Sequence, residues 1–543
     1  MRANFLNLFD QSIQEATLRV ENGRIAALSP VGKANPTLPY VLPGFVDAHV
    51  HIESSMLTPV QFARLAVVHG TVSTVSDPHE IANVLGVAGV EYMIEDGQRV
   101  PFKFCFGAPS CVPATTFETA GATLGPKEVR RLLALKEIGY LAEVMNFPGV
   151  LQEDPDLMAK VRLAQAFNKP IDGHAPGLRG ADAHRYAEHA ISTDHECFTY
   201  DEAREKIEYG MHILIREGSA ARNFEALIPL LDEFPERIMF CSDDKHPDSL
   251  VQGHINLLVK RALAQGHDLW KVLRAACLNP VLHYRLPVGM LREGDPADFI
   301  VVDNLSDFTI LETYLNGEKV AQNGRSLLPN LRSEHPNYFE CLPKVPTDFA
   351  CPAPAGTSQL RLMEALEGQL ITNALLEPYT ANSQGFIVAD PARDILKIAV
   401  VNRYLDAPPQ IAFIRNFGLK EGAIASSVAH DSHNIIVVGC DDDSLCEAVN
   451  LIIGARGGVA AVGADQRLLL PLPIAGLMSD QDGYALAEHY TKLDLFAKEQ
   501  LRSSLQSPFM TLSFMALLVI PSLKISDKGL FDGNQFVFIP IAE

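Results

Sequence analysis

Residues 43–285 alternate short apolar segments with stretches of helical periodicity, and this alternation limits the folds open to the chain. Eight apolar segments are predicted to be strands, which end near His51, Asp77, Ala108, Asn146, His174, Glu196, Glu217 and Asp243. Helical stretches lie between them, at 59–69, 86–99, 126–137, 155–168 and 221–233. Eight strand-then-helix units within about 240 residues are typical of a closed barrel, so the predicted fold class is α/β with a TIM-like (β/α)8 barrel.

The segments outside this barrel predict three further parts. Strand and turn patterns in 1–42 return in 286–327, so these two pieces are expected to form one small composite β domain. Residues 328–356 are rich in proline and are predicted to be a linker that runs over the surface. Residues 357–543 are predicted to form a separate C-terminal α+β domain, with strands near Lys397–Val401 and Ile435–Val438.

The charge and cysteine content exclude several classes of protein. Lys and Arg number 45 against 66 Asp and Glu, a net charge of −21, which disfavours binding to a nucleic acid backbone. The nine cysteines include no CxxC pair, so neither a thiolate zinc site nor a disulfide framework is indicated. The apolar run between Pro508 and Pro521 is too short to cross a bilayer. We therefore expect a cytoplasmic protein that acts on a small molecule, with neither membrane nor nucleic acid as a partner.

Polar residues that can bind a metal stand at the ends of the predicted strands. His49 and His51 are two positions apart on the first strand, so both side chains point to the same side. Alone this pair is a weak signal, because two histidines often face a core or solvent. Later strands end in Glu143, His174, His195 and Asp243. Active sites of this fold lie at the carboxyl ends of the strands, so these side chains are expected to converge.

Nitrogen and oxygen donors without a thiolate predict a particular chemistry. They suit manganese, ferrous iron or zinc, and the sequence does not choose among these metals. The predicted ligands of two divalent ions are His49, His51, Glu143, His174, His195 and Asp243. Two ions can lower the pKa of a shared water so that it attacks at neutral pH. Asp243 would hold metal and also accept the proton of the attacking water.

Longer motifs around these residues resemble a known family. They are 43–55, 77–80, 173–177, 194–196 and 242–247 in the barrel, with 430–434 and 513–524 in the C-terminal part. The chain is similar to the amidohydrolase superfamily, in the version found in bacterial adenine deaminases. This resemblance implies hydrolysis of adenine to hypoxanthine and ammonia at a binuclear site that commonly contains iron or manganese.

One feature separates the chain from other deaminases. Adenosine deaminases carry a Glu shortly after a His, and cytidine-type enzymes use an HxE motif with paired cysteines. Here His174 is followed by Ala-Pro-Gly, and no cysteine pair exists. The proton for the purine ring is therefore expected from Glu143, Glu80 or a water on the metal.

Several polar residues near the strand ends have two interpretations. The segment Asp77–Glu80 is either a plain turn or part of the pocket, with His79 and Glu80 in proton transfer and Asp77 in substrate binding. Arg216 and Glu217 could contact a purine edge or form a buried ion pair. Asp244 is either a substrate contact or a solvated loop residue. The loop 430–433 could line a neighbouring pocket or a subunit contact, could hold an extra ion through His430, Asp431 and His433, or could be a simple polar loop.

Two alternative functions remain open from the residues alone. A cyclic amide hydrolase, such as a hydantoinase or dihydropyrimidinase, uses the same kind of site but usually places a carboxylated Lys where this chain has Glu143. A non-catalytic scaffold would have no reason to retain the whole ligand set. We further expect the protein to be a homo-oligomer, most simply a dimer.

Overall fold

Eight parallel strands form a closed ring in the computed structural model, which describes residues 1–543. They are Phe45–Val50, Thr71–Ser76, Lys103–Ala108, Ile138–Val144, Ile171–Gly173, Thr193–Asp194, His212–Arg216 and Ile238–Cys241. The first five form one sheet and the last three another. Parallel bridges between Ile171 and Ile191 and between Val50 and Asp243 join the two sheets. The predicted (β/α)8 barrel is therefore confirmed.

Helices surround this ring and follow the strands in chain order. Several begin at a side chain that accepts a hydrogen bond from a free backbone N–H, as Asp154 does from Leu157 and Thr199 from Glu202. The helices are Pro59–Ala66, His79–Leu85, Val87–Gly97, Pro126–Leu133, Phe147–Leu151, Pro155–Ala166, Gly180–Glu188, Tyr200–Glu208, Phe224–Leu227, Leu230–Glu233, Pro247–Gln252, Ile255–Ala264, Leu269–Leu273 and Asn279–Tyr284. Short helical turns add Ile52–Ser55, Val67–His69 and Arg274–Leu278.

The helix His79–Leu85 was not predicted from the sequence. It has only seven residues, which is too few for a periodic apolar pattern to stand out, and it follows directly on the second barrel strand. Its first turn contains His79 and Glu80, and both side chains are buried. The structure therefore places these two residues over the carboxyl end of the barrel.

A second sheet combines strands from both flanks of the barrel segment. Tyr40–Pro43 lies at its centre, parallel to Arg2–Asn7 on one side and antiparallel to Phe299–Val302 on the other. The remaining strands are Ser12–Glu21, Arg24–Lys33, Ile310–Leu315, Glu318–Gln322 and Arg325–Ser326. The two flanks thus share one sheet of eight strands. The domain boundaries given above stay a prediction.

The proline-rich segment 328–356 runs between the barrel and the C-terminal part. Its regular structure is limited to the turn Pro346–Phe349 and the short strand Cys351–Pro352, since proline lacks the N–H that helices and sheets need. Near its start, the Gln61 amide donates to Asn330 Oδ1 at 2.7 Å. Further along, the Glu340 backbone N–H donates to the Arg403 carbonyl at 2.8 Å. The segment therefore contacts both neighbours.

An eight-stranded sheet, packed by helices, dominates the C-terminal part. Its strands are Gln359–Ala365, Thr372–Pro378, Leu396–Val401, Gln410–Arg415, Ala423–Ser426, Ile435–Gly439, Gly458–Val462 and Arg467–Pro471. The helices are Asp442–Ala455, Gly483–Glu499 and Pro508–Phe514. Phe386–Ile387 pairs with Cys351–Pro352, and Leu523–Ser526, Gly529–Asp532 and Val537–Phe538 form a small sheet. Both predicted strands are present.

One apolar core connects the barrel to the C-terminal sheet. A single cluster of 136 buried hydrophobic residues includes Val50 and Phe240 of the barrel together with Ile398 and Phe514 of the C-terminal part. The run that begins at Pro508 is a buried helix within this cluster. None of the helices has the length and apolar character that crossing a bilayer requires.

Candidate active site

His49 and His51 point into the centre of the barrel mouth. His49 lies on the first barrel strand and His51 directly follows it, and their exposed fractions are 0% and 4%. The two Nε2 atoms are 3.2 Å apart. Two imidazole nitrogens so close together, both inside the protein, are a geometry that a shared cation would stabilise.

Glu143, from the fourth strand, lies between two groups of imidazoles. Its Oε2 is 2.9 Å from His174 Nδ1 and 3.1 Å from His195 Nε2. Its Oε1 is 3.7 Å from His51 Nε2 and 3.5 Å from His79 Nδ1. Burial opposes its ionisation, but the His174 and His195 side chains hold the pKa of Glu143 well below its usual range. Each carboxylate oxygen therefore faces a different set of nitrogen atoms.

Asp243 completes the cluster from the end of the eighth strand. Its Oδ1 lies 3.2 Å from His51 Nε2 and 3.7 Å from His49 Nε2. Its Oδ2 accepts a hydrogen bond from Arg216 Nη1 at 2.6 Å. Although burial opposes ionisation, Arg216 and then His51 hold the pKa of this carboxyl well below its usual range. Asp243 is therefore a carboxylate with one oxygen free to face the pocket.

Arg216 forms a buried ion pair across the barrel mouth. Besides Asp243, it holds Glu196, with Nη2 at 3.1 Å from Glu196 Oε2. Arg216 and Glu196 are each 1% exposed. Of the two interpretations of Arg216, the structure favours the ion pair, because both of its terminal nitrogens already contact carboxylates.

The donor atoms of the cluster suit a divalent cation. Several sets of nitrogen and oxygen atoms lie within 4.8 Å of one another, among them His49, His195 and Asp243; Glu143, His174 and His195; and His51, Asp77, His79 and Glu143. Buried nitrogens of His49, His174 and His195 lack a hydrogen-bond partner within the protein. Imidazoles and carboxylates are ligands of first-row divalent metals, so the residues fit such ions. All six predicted metal ligands are brought together.

A loop of the C-terminal part closes the pocket from the opposite side. Glu80 accepts hydrogen bonds from His430 Nδ1 and His433 Nε2, and all three side chains are buried. Asp431 Oδ1 lies 3.5 Å from His79 Nε2. The apolar wall of the same pocket includes Phe514. The interpretation of 430–433 as a simple polar loop is therefore replaced by that of a pocket wall.

The residues predicted to bind substrate lie in different places. Asp244 lines the pocket and accepts a hydrogen bond from Ser54. Asp77 instead supports His79, with Oδ1 accepting from the His79 backbone N–H at 3.0 Å and Oδ2 3.2 Å from His79 Nδ1. Glu217, which was predicted to bind substrate, does not lie in this pocket. It lines a separate cavity and pairs with Arg261 at 3.1 Å. Successive strand residues face opposite sides, so Arg216 points into the barrel and Glu217 away from it.

The pocket beside the cluster is small, but a larger cavity adjoins it. The free volume at the cluster is about 30 Å³, roughly the share of one water molecule in the liquid. The neighbouring cavity measures about 890 Å³, and Met145 and Val519 line both spaces. The two spaces therefore meet at these two side chains.

Comparison with known proteins assigns the family. A protein from a Sulfurovum species named adenine deaminase is 56% identical over 99% of this chain and 99% of its own length. Adenine deaminases from Salinibacter ruber and Methanosarcina mazei are 55% and 53% identical, over 98% and 96% of this chain and 97% and 96% of their own. The chain belongs to the adenine deaminase family. Among solved structures, a beta-aspartyl dipeptidase from Fervidobacterium islandicum covers 62% of this chain at 15% identity with a TM-score of 0.44, too low to add to this assignment.

Two family profiles match different parts of this member of the adenine deaminase family, and each part contributes residues to the site. The amidohydrolase family matches residues 40–320, which contain the barrel ligands, and members of that family use divalent metal ions. The adenine deaminase C-terminal domain matches residues 369–537, which contain His430, Asp431, His433 and Phe514. The part of the chain that matches the adenine deaminase C-terminal domain therefore forms one wall of the pocket.

Buried polar residues behind the ligands hold the strand ends in place, and sequence reasoning had missed them. His254 Nε2 donates a hydrogen bond to Asp47 Oδ2 at 2.7 Å. Asp47, on the first strand, also accepts one at 2.9 Å from the backbone N–H of Ser242, which follows the eighth strand. The second bond therefore connects the two strands. Lys206 Nζ contacts Asp194 at 2.9 Å, next to His195. Only the position of Asp194 beside His195 offered a local signal, because the other partners are far apart in the chain.

Proposed function

We propose that this protein hydrolyses adenine to hypoxanthine and ammonia at the cluster described above. The proposal depends on one observation, the high identity to adenine deaminases over the whole chain. Fold and ligands alone would be insufficient, since a barrel of this kind supports many reactions. A carboxylate at Glu143 and the family membership both speak against a cyclic amide as substrate.

The barrel residues would hold two divalent cations, with manganese or iron preferred over zinc. His49, His51 and Asp243 would bind one of them, and His174 and His195 the other, with Glu143 between. When bound, such cations lower the pKa of water, which then attacks a carbon atom at neutral pH.

Asp243 is proposed as the general base. Arg216 donates a hydrogen bond to one carboxylate oxygen of Asp243, and the other oxygen faces the pocket. As the water oxygen bonds to the carbon that carries the exocyclic amine, Asp243 takes one proton from that water. Asp244, on the same loop, is proposed to contact the purine.

Glu80 and His79 are proposed to supply the proton that the ring needs. Burial lowers the pKa of His430, but the neighbouring Glu80 carboxylate raises it to about 9, so at neutral pH the proton lies on His430 and Glu80 can relay it toward His79 and the ring. His79 Nε2 is 3.6 Å from Glu80 Oε1 and lines the same pocket. Protonation of a ring nitrogen makes the carbon more electrophilic, Asp243 passes the proton that it took from water to the exocyclic nitrogen, and the amine then leaves as ammonia. This arrangement replaces the Glu that other deaminases place after a histidine.

A Glu80→Gln variant is expected to lower kcat by about 10²–10⁴-fold, the usual contribution of one acid–base group. Metal content should stay at the parental level, because Glu80 is outside the proposed ligand set. Steady-state ammonia release and elemental analysis would measure the two quantities. Glu95→Gln, an exposed residue on the next helix, is the matched control. A kcat within twofold of the parent would exclude Glu80 from proton transfer.

The substrate is tested by offering the metal-loaded protein adenine, adenosine, guanine and a hydantoin. We expect ammonia from adenine and none from adenosine, and we expect no ring opening of the hydantoin. Chelation should abolish release, and manganese or ferrous iron should restore it. Activity confined to a non-purine would contradict the function, and a metal content far below two ions per chain would favour the scaffold. The homo-oligomeric state and the cytoplasmic location stay predictions.

A further inference from the structure

We propose that a second cavity, between the loops that follow the seventh and eighth barrel strands, binds a phosphate group. The cavity measures about 330 Å³ and shares no lining residue with the catalytic pocket. Its walls contain three cationic side chains, Arg222, Lys245 and Arg261, and one anionic side chain, Glu217. None of the residues proposed to act in deamination lines this cavity.

Lys245 gives the strongest indication of an anionic ligand. Its side chain lines the cavity, yet the residue is only 7% exposed. Its ammonium has neither a hydrogen-bond acceptor nor an ion-pair partner within the protein. The rest of the side chain is enclosed and the ammonium opens on the cavity, so an anion entering the cavity would meet a charge that no carboxylate competes for.

Arg222 provides a second cation without a carboxylate partner. Its Nε and Nη2 donate to the carbonyls of Gly218 and Ser219, each at 3.1 Å, which fixes the guanidinium at the cavity wall. Arg261 is different, because it pairs with Glu217 at 3.1 Å. Arg261 also pairs with Glu225, so the three cationic side chains are matched by two carboxylates and one positive charge remains in excess.

The position and the remaining groups point to phosphate in particular. In (β/α)8 barrels the loops after strands seven and eight frequently form a phosphate site. Arginine and lysine are the usual partners of phosphate oxygens, and Ser249 and Gln252 line the same cavity with further donors. Free phosphate and the phosphate group of a monoester share this chemistry.

Calorimetric titration of the full-length, metal-loaded protein would test the site. Inorganic phosphate and glycerol 2-phosphate, a phosphate monoester, are titrated separately at constant ionic strength. We expect saturable binding of at least one of them. Arg222→Gln and Lys245→Met should each weaken it about tenfold or more, as expected when a charge-assisted hydrogen bond is lost. Arg204→Gln, an exposed arginine paired with Glu208 at 3.3 Å, is the control and should bind as the parent does.

The two titrations, with inorganic phosphate and with glycerol 2-phosphate, and the two variants distinguish the possible outcomes. Tighter binding of the monoester would identify a phosphorylated metabolite as the ligand, and tighter binding of inorganic phosphate would identify the free ion. Absence of saturable binding would overturn the proposal. So would binding that Arg222→Gln leaves unchanged, because phosphate would then be bound outside this cavity. Arg222 is exposed, so this variant decides the question even if Lys245→Met does not fold.

Discussion

Replacing Asp243 with asparagine is expected to lower kcat for adenine by about 10²–10⁴-fold while the chain stays folded. The amide keeps the size of the side chain but cannot accept the proton of the attacking water. Arg216 would still pair with Glu196, so the barrel mouth retains its buried ion pair. Ammonia release measures the first effect, and circular dichroism with thermal unfolding measures the second.

Asp182→Asn is the matched control for this variant. Its side chain is 57% exposed on a surface helix, so kcat and unfolding temperature should equal those of the parent. A kcat of the Asp243→Asn variant equal to that of the parent would show that Asp243 takes no part in the reaction. Loss of turnover together with loss of the folded signal would instead assign Asp243 a structural role.

Replacing Glu143 with glutamine is expected to deplete bound metal and activity together. Glu143 has one oxygen near His174 and His195 and the other near His51 and His79, so its charge serves both halves of the cluster. Losing a hydrogen-bonded partner of a ligand costs roughly 10–100-fold in metal affinity, and loss of the ligand itself should cost more. Elemental analysis after gel filtration and kcat with added manganese measure the two effects.

Glu188→Gln, which changes a side chain 61% exposed, should leave both quantities unaltered. A Glu143→Gln protein that retains its full metal content and rate would show that this carboxylate is not a ligand. Recovery of activity only at high manganese concentration would agree with weakened binding.

The metal-binding residues at the strand ends could be predicted to lie together, because the carboxyl ends of parallel strands lie at one edge of the barrel. His49 and His51 share a strand face, and Glu143, His174, His195 and Asp243 each end a later strand, so spacing alone brought them together. Arg216 and Glu217 could not be told apart in this way. The end of a short strand does not reveal which of two neighbours faces inward, and Glu217 proved to face another cavity.

The sequence offered a pocket lining as one role of the loop 430–433, but it could not identify the barrel residues that this loop contacts. His430 lies 350 residues after Glu80, and nothing local in either segment indicates the other. The helix that starts at His79 is too short to be recognised by periodicity. The link between His254 and Asp47 spans 207 residues and likewise has no motif. These contacts depend on how the domains pack, which residue patterns within one element do not describe.

The pairing of Glu80 with His430 and His433 has a consequence for protein engineering. A barrel excised at the proline-rich segment would retain every proposed metal ligand, yet Glu80 would lose both of its partners and Phe514 would no longer cover the pocket. The apolar core that continues into the C-terminal sheet would become solvent-exposed as well. The barrel of this chain is therefore not a transplantable module, and a minimal catalyst derived from it must include both parts.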